Sequence, residues 1–433
     1  MIGIGMAVSP GGSGLGPREW RASSLVLPRG FTFARSGTAQ GFYGATWADG
    51  VLSSYATDTP RFERLASGLV GLKIEGARSN TGLRSGELGN GTVFTKSGIT
   101  TSDNVHVAPS GTAVAERYYP SSSTGAKRVY QSQAVTSGQA YAMACWFKQT
   151  SSAVRYVQLA FGTSGFGSNA WGNFDLQNGV VGSVGASAAI FIEAWPNGWY
   201  RCEIRATATA TTTDTQAQQI GIVTAADSAR QASVSGFSGN ATDDVGTFGF
   251  TFEAAAFASA YIPTSGSTVT RNAETCSRSV TLPSGGFTAV WDVFSPPAAT
   301  AGAGFYVGEL AIDANNRCAV YQDGTTGRFS VFYSTGGVTQ ASIAYGSAST
   351  WGARHRLAVR VKNNDIALDV DGGSLSTDTN TPNGLWSGAA TETLGTSRSG
   401  GEQLFGHILG CNDDPTMWLP PVSDATLQAL SAL

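Results

Sequence analysis

The chain has 433 residues, enough for two or three domains, and combines 56 glycines with a charged content of only 13%. Its formal net charge is −3 with no basic block, which removes the electrostatic basis for nucleic acid or an anionic membrane as partner. No apolar run approaches bilayer-spanning length and no long amphipathic helical pattern is present, so the composition is that of a turn-rich, all-β protein.

Residues 1–17 are glycine-rich and lack the cationic start of a secretory signal. Short strands with turns between them are then expected over 31–39, 47–52, 60–63 and 68–80. This set is too small for a large core of its own, and residues 1–82 read as a small N-terminal β module.

A first β-sandwich is expected over 83–275. Strands are predicted near 105–107, 113–119, 129–133, 141–147, 155–161, 173–176, 189–192, 199–205, 218–223 and 248–256. Asn197-Gly198 is a hairpin signal, since both residues accept the positive φ of a type I′ turn. The run that follows alternates, with Tyr200, Cys202 and Ile204 on the face opposite Arg201, Glu203 and Arg205.

A second sandwich is expected over 276–433. Trp351-Gly352 leads into Leu357, Val359 and Val361 alternating with Arg356, Ala358 and Arg360, as Trp199 leads into the earlier strand. Aromatic strands at 141–147 and 287–294 precede the two runs by similar distances. Two sandwiches of similar plan in tandem are the expectation, with Trp199 and Trp351 equivalent. Asp371-Gly372-Gly373 is a further turn signal, and residues 423–430 read as a short helix capped by Ser423 or Asp424. The five cysteines (145, 202, 276, 318, 411) lack CxxC spacing and read as buried free thiols of a reducing compartment; a Cys145–Cys202 bridge is the alternative.

Phe33-Ala34-Arg35-Ser36-Gly37-Thr38-Ala39, Asp49-Gly50-Val51-Leu52, Pro60-Arg61-Phe62-Glu63 and the Gly71–Asn80 run G-L-x-I-E-x-A-R-x-N occur in that order. Together they resemble the N-terminal module of tailed-phage or gene-transfer-agent virion proteins of the head spike fibre or minor tail type, in which it precedes laminin-G or concanavalin-like domains. Residues 257–271, F-A-S-A-Y-I-P-T-S-G-S-T-V-T-R, resemble that family's exit from its first sandwich. The likeness covers roughly residues 30–275; Thr81-Gly82-Leu83 departs from the Leu-Leu that commonly follows Asn80 in the family. The resemblance implies concanavalin-like (jelly-roll) sandwiches, a place in a virion made in a bacterial cytoplasm, other virion proteins as partners, a homo-oligomer, and a glycan-facing role on a host surface polysaccharide. It names no ligand.

His106, His355 and His407 are isolated, without HExxH, and no glycine-rich phosphate loop opens a helix. A glycosidase needs two carboxylates about 5–10 Å apart; the nearest approach, Asp369 and Asp371, is explained by a strand face and an Asp-Gly turn, so no catalytic residue is assigned. Calcium is the one cofactor left open, through Asn412, Asp413 and Asp414, with Asp243-Asp244 as a second cluster. Sugars present CH faces that pack on aromatic rings and hydroxyls that need amides or charges. Trp171 between Asn169 and Asn173, Trp386 after Asn383-Gly384, and Trp418 after Asp413-Asp414 are the expected glycan contacts, against the alternative that tryptophans plug sandwich ends. The sequence thus points to non-catalytic glycan binding at a host surface, with a structural decoration protein and a polysaccharide depolymerase as alternatives.

Overall fold

A computed structural model of the protein describes residues 19–231, 240, 242–379, 384–416 and 418–433. The glycine-rich segment 1–17 and Asn383 lie outside them. The described residues are almost entirely antiparallel β, with one helix of two turns at Asp424–Ser431, and no helix among them is long and apolar enough to cross a membrane.

Two sandwiches share one strand order. In the first, one sheet runs Ala189–Trp195, Trp199–Thr207, Ala140–Gln149, Val245–Glu253, Ala115–Pro120, Ile99–His106. In the second, the corresponding sheet runs Asp365–Val370, Arg354–Lys362, Phe287–Phe294, Gly406–Asn412, Val70–Ile74, Arg61–Arg64. The opposing sheets match as well. Val180–Val184, Trp171–Asp175, Tyr156–Phe161, Thr212–Val223, Arg128–Val135 and Thr95–Ser97 are answered by Phe329–Thr335, Arg317–Asp323, Gly304–Ala311, Gly388–Leu394, Thr275–Leu282 and Thr32–Ala34. One edge differs: Ala189–Trp195 precedes its partner strand in sequence, whereas Asp365–Val370 follows its own.

This pairing corrects the expected domain boundaries. Residues 19–80 do not form a separate module. Arg61–Arg64, Val70–Ile74 and Glu19–Arg21 join the sheet of Gly406–Asn412, and Thr32–Ala34 pairs with Thr275–Leu282. Strands of three to five residues cannot close a core alone. Their apolar residues Phe33, Phe62, Leu72 and Ile74 instead sit in the core of the second sandwich. The hairpin Ala39–Tyr43 with Val51–Tyr55 stands apart as a two-stranded sheet. The first sandwich is therefore an insertion between two strands of the second. The chain leaves and returns through a paired neck, Arg78–Asn80 against Val269–Arg271. Asn80 seals it: Nδ2 donates to the Phe250 and Ile262 carbonyls at 3.0 and 2.8 Å, and Oδ1 accepts from the Gly82 and Phe252 amides.

Locally the predicted signals hold. Asn197 and Gly198 have φ of 59° and 76°, joining strands whose ends pair at Trp195 and Trp199. Cys202 and Ile204 face the core. Asp371 and Gly372 turn at φ 56° and 70°. Ser423 caps the last helix, its Oγ accepting from the Thr426 amide at 3.3 Å. All five cysteines are buried free thiols, and Cys145 and Cys202 are cross-strand neighbours without a bond.

Candidate functional site

The structure disperses the aromatics expected to meet a glycan. Trp171 is half-buried at the start of its strand, after exposed Asn169. Asn173 is wholly inside: Oδ1 accepts from Gln158 at 2.7 Å, and Nδ2 donates to the Ala226 and Ser228 carbonyls at 3.0 and 2.7 Å. Trp386 belongs to the core of the other sandwich. It is 8% exposed, lies parallel to Tyr333 with ring centroids 5.6 Å apart, and donates Nε1–H to the Ser334 carbonyl at 2.9 Å. Trp418 packs half-buried on Phe287, 5.3 Å between centroids. Trp386 is therefore a core ring, which corrects the expectation of a ring open to ligand.

The acidic clusters are likewise engaged. The Arg29 amide donates to Asp413 Oδ1, and Asp414 accepts from the Arg29 guanidinium and the Thr416 amide and hydroxyl. Among the described residues no three His, Cys, Asp or Glu side chains are grouped to hold a metal ion. Asp369 accepts from Ser431 Oγ at 2.6 Å, and Asp371 holds His355 Nδ1 at 2.7 Å, so helix and ring fix both carboxylates.

What the fold does build is a cleft of about 210 Å³ where the hairpin, the inserted sandwich and the second sandwich meet. One wall is aromatic. Phe42 on the hairpin lies 4.6 Å from Trp47 and 4.5 Å from Trp195, the two tryptophans are 6.0 Å apart, and Trp146 meets Trp195 edge-on at 5.2 Å. Trp47 and Trp195 are half-buried, each leaving part of its ring to solvent. Gly50 is required here, since a Cβ on it would meet Phe42 at 2.1 Å. Exposed Glu193 accepts from Trp195 Nε1 at 3.0 Å and orients the indole.

The other wall is charged. His407 Nε2 bonds Glu63 Oε2 at 2.9 Å, with Lys73 and Glu75 alongside. Burial pushes Glu63 up, but the His407 hydrogen bond and the charges of Lys73 and Arg61 leave it below the usual glutamate range. Burial and the Lys73 charge outweigh Glu63 at His407 and lower its pKa, so the ring is neutral at neutral pH. A neutral ring donating Nε2–H to Glu63 leaves Nδ1 as an acceptor. That Nδ1, on a residue 6% exposed, has no hydrogen-bond partner; nor does Nε1 of Trp146, which is 1% exposed. An unmet buried polar group costs about 1–3 kcal/mol. The cleft lining thus includes one unmet donor and one unmet acceptor beside tilted and edge-on rings.

Sequence reasoning placed Trp47 at the start of the expected strand 47–52 and assigned Trp195 no place. A shared signal was present: Trp47-Ala48-Asp49-Gly50 and Trp195-Pro196-Asn197-Gly198 each put a tryptophan at the first position of an Asx-Gly turn. Such a ring is held at a loop mouth.

No family model matches the chain, and no curated protein matches it. Among solved structures it is similar to domains LG4-5 of the mouse laminin α1 chain, at 10% identity over 67% of this chain and 84% of that one, with a TM-score of 0.20. It is also similar to the CBM40 of Ruminococcus gnavus IT-sialidase bound to α2,3-sialyllactose (14% identity, 36% and 84% of the chains, TM-score 0.28). A third is the heptameric SAP-like pentraxin of Limulus polyphemus (12%, 35% and 72%, TM-score 0.26).

Proposed function

We propose that the protein is a non-catalytic carbohydrate-binding protein, and that the cleft between the hairpin and the two sandwiches takes the saccharide. The carrying observation is the cluster Phe42–Trp47–Trp195 in a cleft also lined by Trp146 and His407, each with a buried, unpartnered ring nitrogen. A pyranose offers a CH face for the rings and hydroxyls that both donate and accept. One hydroxyl would donate a hydrogen bond to His407 Nδ1, and another oxygen would accept one from Trp146 Nε1. Glu63 and Glu75, the buried carboxylates of the cleft, are both held on the ionised side, which supports binding over acid catalysis: neither is poised to protonate a leaving group.

The finer reading rests on the resemblance of the N-terminal motifs. In it the protein is a virion fibre or spike subunit, oligomeric, that attaches a phage-type particle to host surface polysaccharide. The test is an array of bacterial surface polysaccharides probed with the full chain, followed by reducing-end assays on each hit. Binding without release supports the proposal. Sustained release overturns it in favour of a depolymerase, and no binding to any polysaccharide overturns it in favour of a decoration protein.

A further inference from the structure

A second cavity, of about 450 Å³, lies on the inserted sandwich away from the charged wall of the cleft. Glu87, Asp103, Asn104 and Glu116 line it, with Phe248 and Tyr261 as apolar walls. Its shape follows from an irregularity in strand pairing. The register between Ile99–His106 and Ala115–Pro120 shifts between Ala115 and Arg117, and Asn104 takes φ 58°. Bulges of this kind re-aim side chains, and this one sets Asp103 and Asn104 beside Glu116.

Glu116 is the anomaly. It is 2% exposed, and neither carboxylate oxygen has a hydrogen-bond partner of normal geometry. A buried carboxylate without a partner is costly and needs a counter-charge or a proton. Burial pushes its pKa up to about 8, Asp103 and Glu87 add to the rise, and the nearby Gly89 amide and Lys96 oppose it. Of the charged groups around it, Lys96, Arg84 and Glu87 have partners. Lys96 donates to Thr101 Oγ1 at 2.8 Å, and Arg84 pairs with Glu87 at 3.1 Å. Buried Tyr118 and Cys145 also feel Glu116, both held in their neutral forms.

We propose that this cavity binds an organic cation, an alkylammonium or alkylguanidinium group, with Glu116 as its charge partner, Asp103 beside it, and Phe248 and Tyr261 packing its stem. A metal ion is disfavoured, because among the described residues these carboxylates are not grouped as a metal-ligand set. N–H donors answer both Glu116 oxygens, and aromatic walls suit a cation on an apolar stem.

The cation selects ionised Glu116, so binding expels the proton the empty site holds. Propylguanidinium is the probe, since guanidinium keeps its charge across the range. Calorimetry on the full chain should show affinity rising about tenfold per pH unit from pH 6 towards 8 and levelling above, with a proton released near neutral pH. Glu116→Gln, checked for a cooperative melt, should lose binding at every pH. No propylguanidinium binding at millimolar concentration would overturn the proposal. So would binding without pH dependence or proton release, or calcium binding that Glu116→Gln abolishes. The pH profile needs no variant, so it decides even where Glu116→Gln fails to fold.

Discussion

Arg61 and Glu274 lie 213 positions apart and meet through two hydrogen bonds, Nε to Oε1 at 2.7 Å and Nη2 to Oε2 at 2.6 Å. Both side chains are buried, and the pair anchors a larger network. Arg35 also reaches Glu274 at 2.7 Å, while Glu75 bridges Arg61 and Arg271 at 2.9 Å each. The network ties the N-terminal segments to Val269–Arg271, the returning strand of the neck. Arg61→Ala should cost about 3–5 kcal/mol, the range for stranding a buried charge, read as a fall in the denaturant midpoint. Burial pushes Glu75 up, but Arg271, Lys73 and Arg61 hold it well below the usual glutamate range. Its contribution is therefore fully present above about pH 4.3 and is lost only as pH falls through its lowered folded value. Wild type should outlast the double variant Arg61→Met/Glu75→Leu at pH 5 by more than at pH 2.

The insertion predicts which fragments fold. Residues 81–267 should form a cooperative domain alone, because both their ends lie at the neck and their core is their own. Residues 276–433 alone should not, since they lack Phe33, Phe62, Leu72 and Ile74 and the four strands Glu19–Arg21, Thr32–Ala34, Arg61–Arg64 and Val70–Ile74. Joining residue 80 to residue 269 through a short glycine linker should restore a folded second sandwich. Solubility and cooperative thermal melts check each case.

His355 gives a pH signature to the second sandwich. Nδ1 meets Asp371 Oδ2 at 2.7 Å and Nε2 meets the Thr350 carbonyl at 2.8 Å, so both nitrogens donate only when the ring is charged. Burial lowers its pKa, but the two hydrogen bonds and the Asp371 charge leave it raised. The stabilisation is therefore full below about pH 6.5, the unfolded value, and is lost as pH rises through the folded pKa. The gap in unfolding free energy between wild type and His355→Gln should narrow from pH 5.5 to 8.5. Asp371→Asn should flatten that dependence.

Trp386 separates core from cleft. Trp386→Ala should lower stability by about 3–5 kcal/mol, with saccharide affinity unchanged in the folded fraction. Chemical denaturation and binding titration on the same sample read the two effects.

All-β class, most strands, both Asx-Gly turns and the helix cap were legible because each is encoded within a few residues. The duplication was legible too, through alternating strands at 199–207 and 354–362, although Trp199 opens its strand and Trp351 lies in the turn before its own, so the two tryptophans are not equivalent. The insertion was not. Thr32–Ala34 pairs with residues near 276 and Arg61–Arg64 lies in a sheet with Gly406–Asn412, and no local pattern reports partners hundreds of positions away. The same distance hid the cleft, whose rings come from residues 42, 47, 146 and 195. The residues that carry the resemblance include Arg35, Arg61, Glu75 and Arg271, which join Glu274 in the buried network, and Asn80, which seals the neck.

The most direct measurement is a calorimetric titration of an oligosaccharide from the bound surface polysaccharide into wild type, Trp47→Ala, Trp195→Ala and Trp171→Ala. Loss of about 1–3 kcal/mol of binding free energy in Trp47→Ala and Trp195→Ala, with Trp171→Ala near wild type, is the result the cleft predicts. Wild-type affinity in both cleft variants, or a loss confined to Trp171→Ala, would contradict it.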